Sequence, residues 1–173
     1  MKKYIFVILA FVFCQKSYAQ SAAEDTSLIY LRFPIVPSFK ITKVSDSTYF
    51  TKEDLKKNKP TVVIIFSPDC EHCQAETQEL KANIGLFKKA QIIMASPLEY
   101  KYLRKFYDEY EIGKYSQITM GRDPSYFLGT FYKVRSFPAI FVYNKKGDLV
   151  KSFSGSTPVA LVAEALTLPS PKK

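Results

Sequence analysis

The stretch that decides the fold is Thr61-Val62-Val63-Ile64-Ile65-Phe66-Ser67-Pro68-Asp69-Cys70-Glu71-His72-Cys73-Gln74-Ala75-Glu76-Thr77-Gln78-Glu79-Leu80. Its first six residues are an uninterrupted, β-branched apolar run, the pattern of a strand buried on both faces. Ser67-Pro68-Asp69 breaks the run, and the period then changes. Cys73, Thr77, Leu80, Ile84 and Phe87 recur at steps of four, three, four and three, which is one stripe of a helix, while Gln74, Glu79, Lys81 and Lys88 fall on other faces. Cys73 is therefore expected to point inward. Cys70 falls at the first helical turn, where unpaired backbone N–H groups and the positive end of the helix dipole favour an anionic sulfur. This makes Cys70 the candidate nucleophile, with Cys73 placed one turn later to attack a mixed disulfide from behind.

Outward from this stretch, cysteine usage becomes informative. The chain has 173 residues and three cysteines. Lys2 and Lys3, the apolar run Tyr4 to Phe13, and Ser17-Tyr18-Ala19 read as a secretory address at residues 1–19 cleaved after Ala19. Phe11 and Phe13 stand where a lipid-anchoring signal needs small residues before Cys14. Cleavage would leave only Cys70 and Cys73, three positions apart, in an exported and oxidising compartment. A disulfide closing so short a loop removes little unfolded-chain entropy, so chemistry is the better reason for the pair. No cofactor is called for, since the two sulfurs carry the electrons themselves.

Neighbouring residues tune the pair. His72 can favour the Cys70 thiolate by charge or hydrogen bond, and Glu71 opposes it. Glu76, three residues after Cys73, is within reach of its thiol and can accept a proton if buried; on spacing alone an exposed Glu is an equal expectation.

Composition bounds the function class. The formal charge of +9 loses Lys2, Lys3 and Lys16 with the signal, falling to +6, and the remaining basic residues lie in mixed-sign segments without an Arg-rich stripe, which argues against nucleic acid as a partner. The apolar N-terminal run is shorter than the roughly 20 residues of a spanning helix, so no stable membrane insertion is expected after cleavage. The single His, His72, and two mature cysteines leave zinc short of ligands; copper(I) could accept two thiolates, so a metal (copper) carrier and a non-catalytic interaction module stand as alternatives to an enzyme.

The rest of the chain alternates. Gln91 to Ala95 reads as a second buried strand and Leu98 to Tyr110 as a helix with Leu103, Phe106, Tyr107 and Tyr110 inward. Gln117 to Met120 is expected as a short edge strand, Ser125 to Val134 as a short helix, Ala139 to Tyr143 and Leu149 to Phe153 as a hairpin, and Pro158 to Leu166 as the last helix. The expected class is α/β, a central mixed sheet flanked by helices. The domain is placed at residues 30–168, with a flexible segment at 20–29 and a frayed tail at 169–173.

Taken together, Pro60 to Leu80 with its Cys70-Glu71-His72-Cys73 dithiol resembles the active-site strand and helix of the thioredoxin superfamily, especially the exported TlpA/ResA-like thiol-disulfide oxidoreductases. Phe33 to Phe39, the Asp46-Ser47 turn and Leu55 are similar to that group's N-terminal β-hairpin extension, and Val134 to Val142 resembles the strand entered through its cis-proline, at Pro138. The resemblance implies a thioredoxin-like fold over roughly residues 30 to 166. It also implies a cis peptide before Pro138 that sets the Phe137 backbone beside the sulfurs to pair with an extended substrate segment. Ile64 stands where cytoplasmic thioredoxins often carry a buried acid, so the proton-transfer role passes to Glu76 by the pattern of the exported reductases. The implied activity is exchange with protein disulfides in the periplasm, with the direction left open: the likeness to the exported reductases favours a reductase fed by a membrane electron donor and serving cytochrome c maturation, while His72 before the second cysteine resembles the oxidase arrangement.

Overall fold

The computed structural model describes residues 28–169, so the expected signal peptide, most of the expected 20–29 segment and residues 170–173 of the expected tail lie outside the described residues. A seven-stranded mixed sheet runs in the order β2-β1-β5-β4-β3-β6-β7. The strands are β1 (Lys40–Lys43), β2 (Tyr49–Thr51), β3 (Thr61–Ile65), β4 (Gln91–Ser96), β5 (Ile118–Arg122), β6 (Ala139–Tyr143) and β7 (Leu149–Ser154). Among the described residues five α-helices accompany them: α1 (Ile29–Arg32), α2 (Glu71–Ala82), α3 (Tyr100–Glu109), α4 (Phe127–Phe131) and α5 (Val159–Ala165).

The continuous apolar run of β3 is explained by its position. It lies between β4, parallel, and β6, antiparallel, and every residue of it is buried. Because strand side chains alternate, Val62 and Ile64 join Ile92, Met94, Ile140 and Val142 in a core under α2, α3 and α5. Val63 and Ile65 join Ile93, Ala95, Phe141 and Tyr143 in a second core on the opposite face, with Leu128 and Tyr132. There Tyr132 and Tyr143 share a hydroxyl–hydroxyl hydrogen bond of 2.7 Å, and the Tyr132 ring stacks on Phe141 at 3.7 Å between centroids.

Two expectations need correction, and a third, the N-terminal hairpin, is met over fewer residues. Gln117 to Met120 was expected at an edge; β5 is interior, because β1 pairs with its far side at Thr42–Arg122 and Lys43–Gly121. The period-2 signal of one strand cannot say what lies beyond it. The N-terminal hairpin is β1 and β2, starting at Lys40, whereas Phe33 to Phe39 contributes only an isolated bridge between Ile35 and Asp148. That segment straps the β6–β7 hairpin, with the Leu149 N–H donating to the Pro34 carbonyl and the Val36 N–H to that of Gly147, whose φ of 84° closes the turn. Finally, the stripe that continues through Ile84 and Phe87 is not one helix: α2 stops at Ala82, Asn83 folds its side-chain amide onto the Glu79 carbonyl, and Ile84–Phe87 forms a 3₁₀ turn. No helix among the described residues is long and apolar enough to cross a membrane.

Candidate active site

The site lies where β3 ends. Ser67, Pro68 and Asp69 turn the chain, the Cys70 N–H donates to the Ser67 carbonyl at 3.2 Å, and Cys70 becomes the N-cap of α2 in extended conformation. Its carbonyl receives the Gln74 N–H at 3.0 Å, the first hydrogen bond of the helix. The loop is braced from both sides: Ser67 hydroxyl to Asp69 carboxylate, and the Gln74 amide to the Pro68 carbonyl at 2.8 Å. Cys70 is half-buried, and both cysteines are free thiols.

Cys73 is one turn deeper and 2 % exposed. Burial pushes its thiol well above the ordinary range; hydrogen bonding with Cys70 and the negative charge of Glu76 add to this, while the Ser67 backbone N–H acts the other way. Glu76 is also buried, resolving the choice that spacing left open. Loss of water pushes its carboxyl up to about 7, the neighbouring charge of Glu79 adds to this, and a hydrogen bond from the Thr157 N–H to Oε2 at 3.3 Å limits the rise. Cys73 and Glu76 line one small cavity of about 10 Å³, closed by Ile64, Phe66, Met94 and Pro138 among others. That is about the room a single water needs.

Opposite the dithiol, the Phe137–Pro138 peptide is cis, Pro138 is buried, and the Phe137 carbonyl accepts from the Cys70 thiol at 3.8 Å. The Phe137 ring is half-buried and packs against both cores. Behind Pro138, the Gly155 N–H donates to its carbonyl at 2.8 Å, which holds the loop carrying Thr157 against the site.

The structure thus brings Cys70, Cys73, Glu76, Phe137 and Pro138 together. Glu71 and His72 are adjacent in sequence but exposed, and among the described residues neither is hydrogen-bonded to Cys70. Gln74, Glu79 and Thr157 escaped the sequence reading. Gln74 sits four residues after Cys70, a spacing that could have flagged it. The other two act through residues some 80 positions away: Thr157 reaches Glu76, and the Glu79 carboxylate accepts the Val159 N–H at 2.9 Å, meeting the first turn of α5. An open groove of about 450 Å³ flanks the loop, between Pro68, Asp69 and Gln74 on one side and Tyr102, Lys105 and Tyr110 on the other. Among the described residues no group of three His, Cys, Asp or Glu side chains is arranged to hold a metal ion.

The family model for a thioredoxin-like domain matches residues 51–168, a span that holds the dithiol, Glu76 and the cis-proline strand. The chain belongs to the thioredoxin-like family. No curated protein matches it in sequence. Solved structures share its fold. A secreted disulfide oxidoreductase of Mycobacterium tuberculosis, described as homologous to Escherichia coli DsbE, is 19 % identical with a TM-score of 0.63, the match covering 76 % of this chain and 96 % of that one. StoA of Bacillus subtilis is 16 % identical at a TM-score of 0.58, covering 76 % and 98 %. The exposed lipoprotein thioredoxin Etrx1 of Streptococcus pneumoniae is 21 % identical at 0.55, covering 74 % and 98 %. At such identities the likeness is one of fold, so the chemistry of this thioredoxin-like protein rests on its own residues.

Proposed function

We propose that this protein is an exported, periplasmic thiol-disulfide oxidoreductase that reduces disulfides of partner proteins through Cys70 and Cys73. The observation that carries the reading is the pairing of a half-buried cysteine at a helix N-terminus with a fully buried one that shares a cavity with a buried carboxyl group. In the first step Cys70, as thiolate, attacks one sulfur of a substrate disulfide. A Cys70–substrate bond forms, the substrate S–S bond breaks, and the departing substrate thiolate takes a proton from water. In the second, Cys73 gives its proton to the Glu76 carboxylate as its sulfur attacks that of Cys70. The Cys70–Cys73 bond forms, the mixed disulfide breaks, and the second substrate sulfur leaves as a thiolate that takes a proton from water. Two electrons have passed to the substrate, and a dithiol donor returns them. A carboxyl group poised near 7 can both accept and release this proton at neutral pH.

The Phe137 carbonyl beside Cys70 supports recognition of an extended backbone there, which suits many substrates rather than one sequence. Glu71 and His72 lie on the solvent side of α2, where they flank the approach of a partner to Cys70. The membrane electron donor and a part in cytochrome c maturation belong to this reading through the family resemblance.

The test is direct. Cys70→Ser should abolish reduction of a disulfide substrate, and the equilibrium potential of the Cys70–Cys73 couple should lie near that of thioredoxin, about −270 mV. A value near about −120 mV, that of the oxidant DsbA, would assign the opposite direction. Undiminished activity in Cys70→Ser would reject the exchange chemistry.

A further inference from the structure

The end of the sheet opposite the dithiol carries a feature that the redox chemistry does not use. Cys70 follows the C-terminal end of β3. At the other end, where β3 and β4 begin and the β6–β7 hairpin turns, an open depression is walled by Lys88 and Lys89 on one side and Lys145 and Lys146 on the other. Four ammonium groups line it, with no carboxylate among its lining residues. Among the described residues none of the four takes part in an ion pair. The nearest acids in sequence lie off the lining: Asp148 accepts from the Asn144 amide at 3.1 Å, and Glu164 is on the exposed face of α5. Lys56 and Lys57 are exposed at the same end, held there by the Lys56–Gln91 backbone-to-amide pair of hydrogen bonds. The same depression is lined by two exposed leucines, Leu86 at 54 % and Leu168 at 40 % exposure.

We infer that this pole docks on a bilayer surface rich in anionic phospholipid, with the lysines at the phosphates and Leu86 and Leu168 entering the headgroup boundary. Charge complementarity selects an anionic partner, and the mixture of cations with exposed aliphatic side chains selects a lipid surface over an acidic polypeptide. The orientation is also productive. β3 alone separates the two ends by roughly 17 Å at about 3.3 Å per residue, so a docked molecule keeps Cys70 turned away from the bilayer and open to partners. This inference is independent of the redox reading, and Cys70→Ser should dock as the parent does.

The experiment uses the chain from Gln20 onward, which retains every described element and excludes the apolar N-terminal run. Co-sedimentation is measured with phosphatidylcholine vesicles, with and without phosphatidylglycerol, across a salt series. The protein should partition onto the anionic vesicles only, and salt should release it. Each lysine near a charged bilayer is worth about fivefold, so K88Q/K89Q/K145Q/K146Q should lose about 600-fold in partitioning if all four reach the surface, and at least about tenfold if two do. L86S/L168S should lose less. These side chains are exposed and remote from the dithiol, so far-UV circular dichroism and the alkylation rate of Cys70 should not change and serve as the folding control. Equal partitioning of parent and quadruple variant, or equal binding to vesicles without phosphatidylglycerol, overturns the inference. Lysine-dependent capture of a polyglutamate peptide without vesicle binding also overturns it, in favour of an acidic polypeptide.

Discussion

Replacing Glu76 with Gln removes one ionisable group from the interior while keeping its shape and an acceptor for the Thr157 N–H. The carboxyl group is raised from 4.5 to about 7 in the folded protein, chiefly by loss of water. At about 1.4 kcal/mol per unit this is a cost to the native state of about 3 kcal/mol once the group is ionised. The sign follows from proton uptake. Below pH 4.5 the acid is protonated folded or unfolded and costs nothing; between 4.5 and about 7 the unfolded chain ionises first, so unfolding releases a proton and native stability falls as pH rises. The neutral amide of Glu76→Gln does not titrate and carries no such cost. Urea melts of the two reduced proteins should therefore agree near pH 4 and separate by about 3 kcal/mol in favour of the variant near pH 8, or about 6–12 °C in Tm for a domain of this size. The same variant should release mixed disulfides at least about a hundredfold more slowly, because Cys73 has lost its proton acceptor. Parallel stability profiles across this pH range would refute the burial argument, and undiminished release would refute the proton transfer.

Two further outcomes test the arrangement. Cys73→Ala should leave Cys70 able to attack but unable to be displaced, so mixed disulfides with exported proteins should accumulate on non-reducing gels; the absence of adducts while Cys70 remains open to alkylation would count against exchange. Tyr132→Phe leaves the Tyr143 hydroxyl without its partner in a site where both residues are almost fully buried, and should cost about 1–3 kcal/mol in chemical denaturation. The double replacement Y132F/Y143F should cost less than the sum of the two single ones, and simple additivity would show that the hydroxyl pair contributes nothing.

Much of this was legible in the chain. A β-branched run, a proline-containing break and a helical stripe are local patterns, and they located β3, the turn and α2 to within a residue or two at the start of the helix. The end of α2 was less legible, since Ile84 and Phe87 keep the helical spacing while belonging to a 3₁₀ turn, where side chains also return every third residue. The burial of Cys73 followed from its place on the stripe. That of Glu76 did not, because the neighbouring helix face is covered by the loop before α5, which no nearby residue announces.

The amino-acid sequence by itself determined the fold class, the pairing of the two sulfurs across one helical turn and the proline strand near them, because each is written in residues adjacent to one another or in a family pattern. Only the tertiary structure decided that β5 is interior, that Glu76 sits in the same cavity as Cys73, and that lysines from two distant turns gather at the far end of the sheet. Periodicity reports which face of an element is apolar; it does not report which element covers that face. Burial, and the protonation behaviour that follows from it, depends on that neighbour.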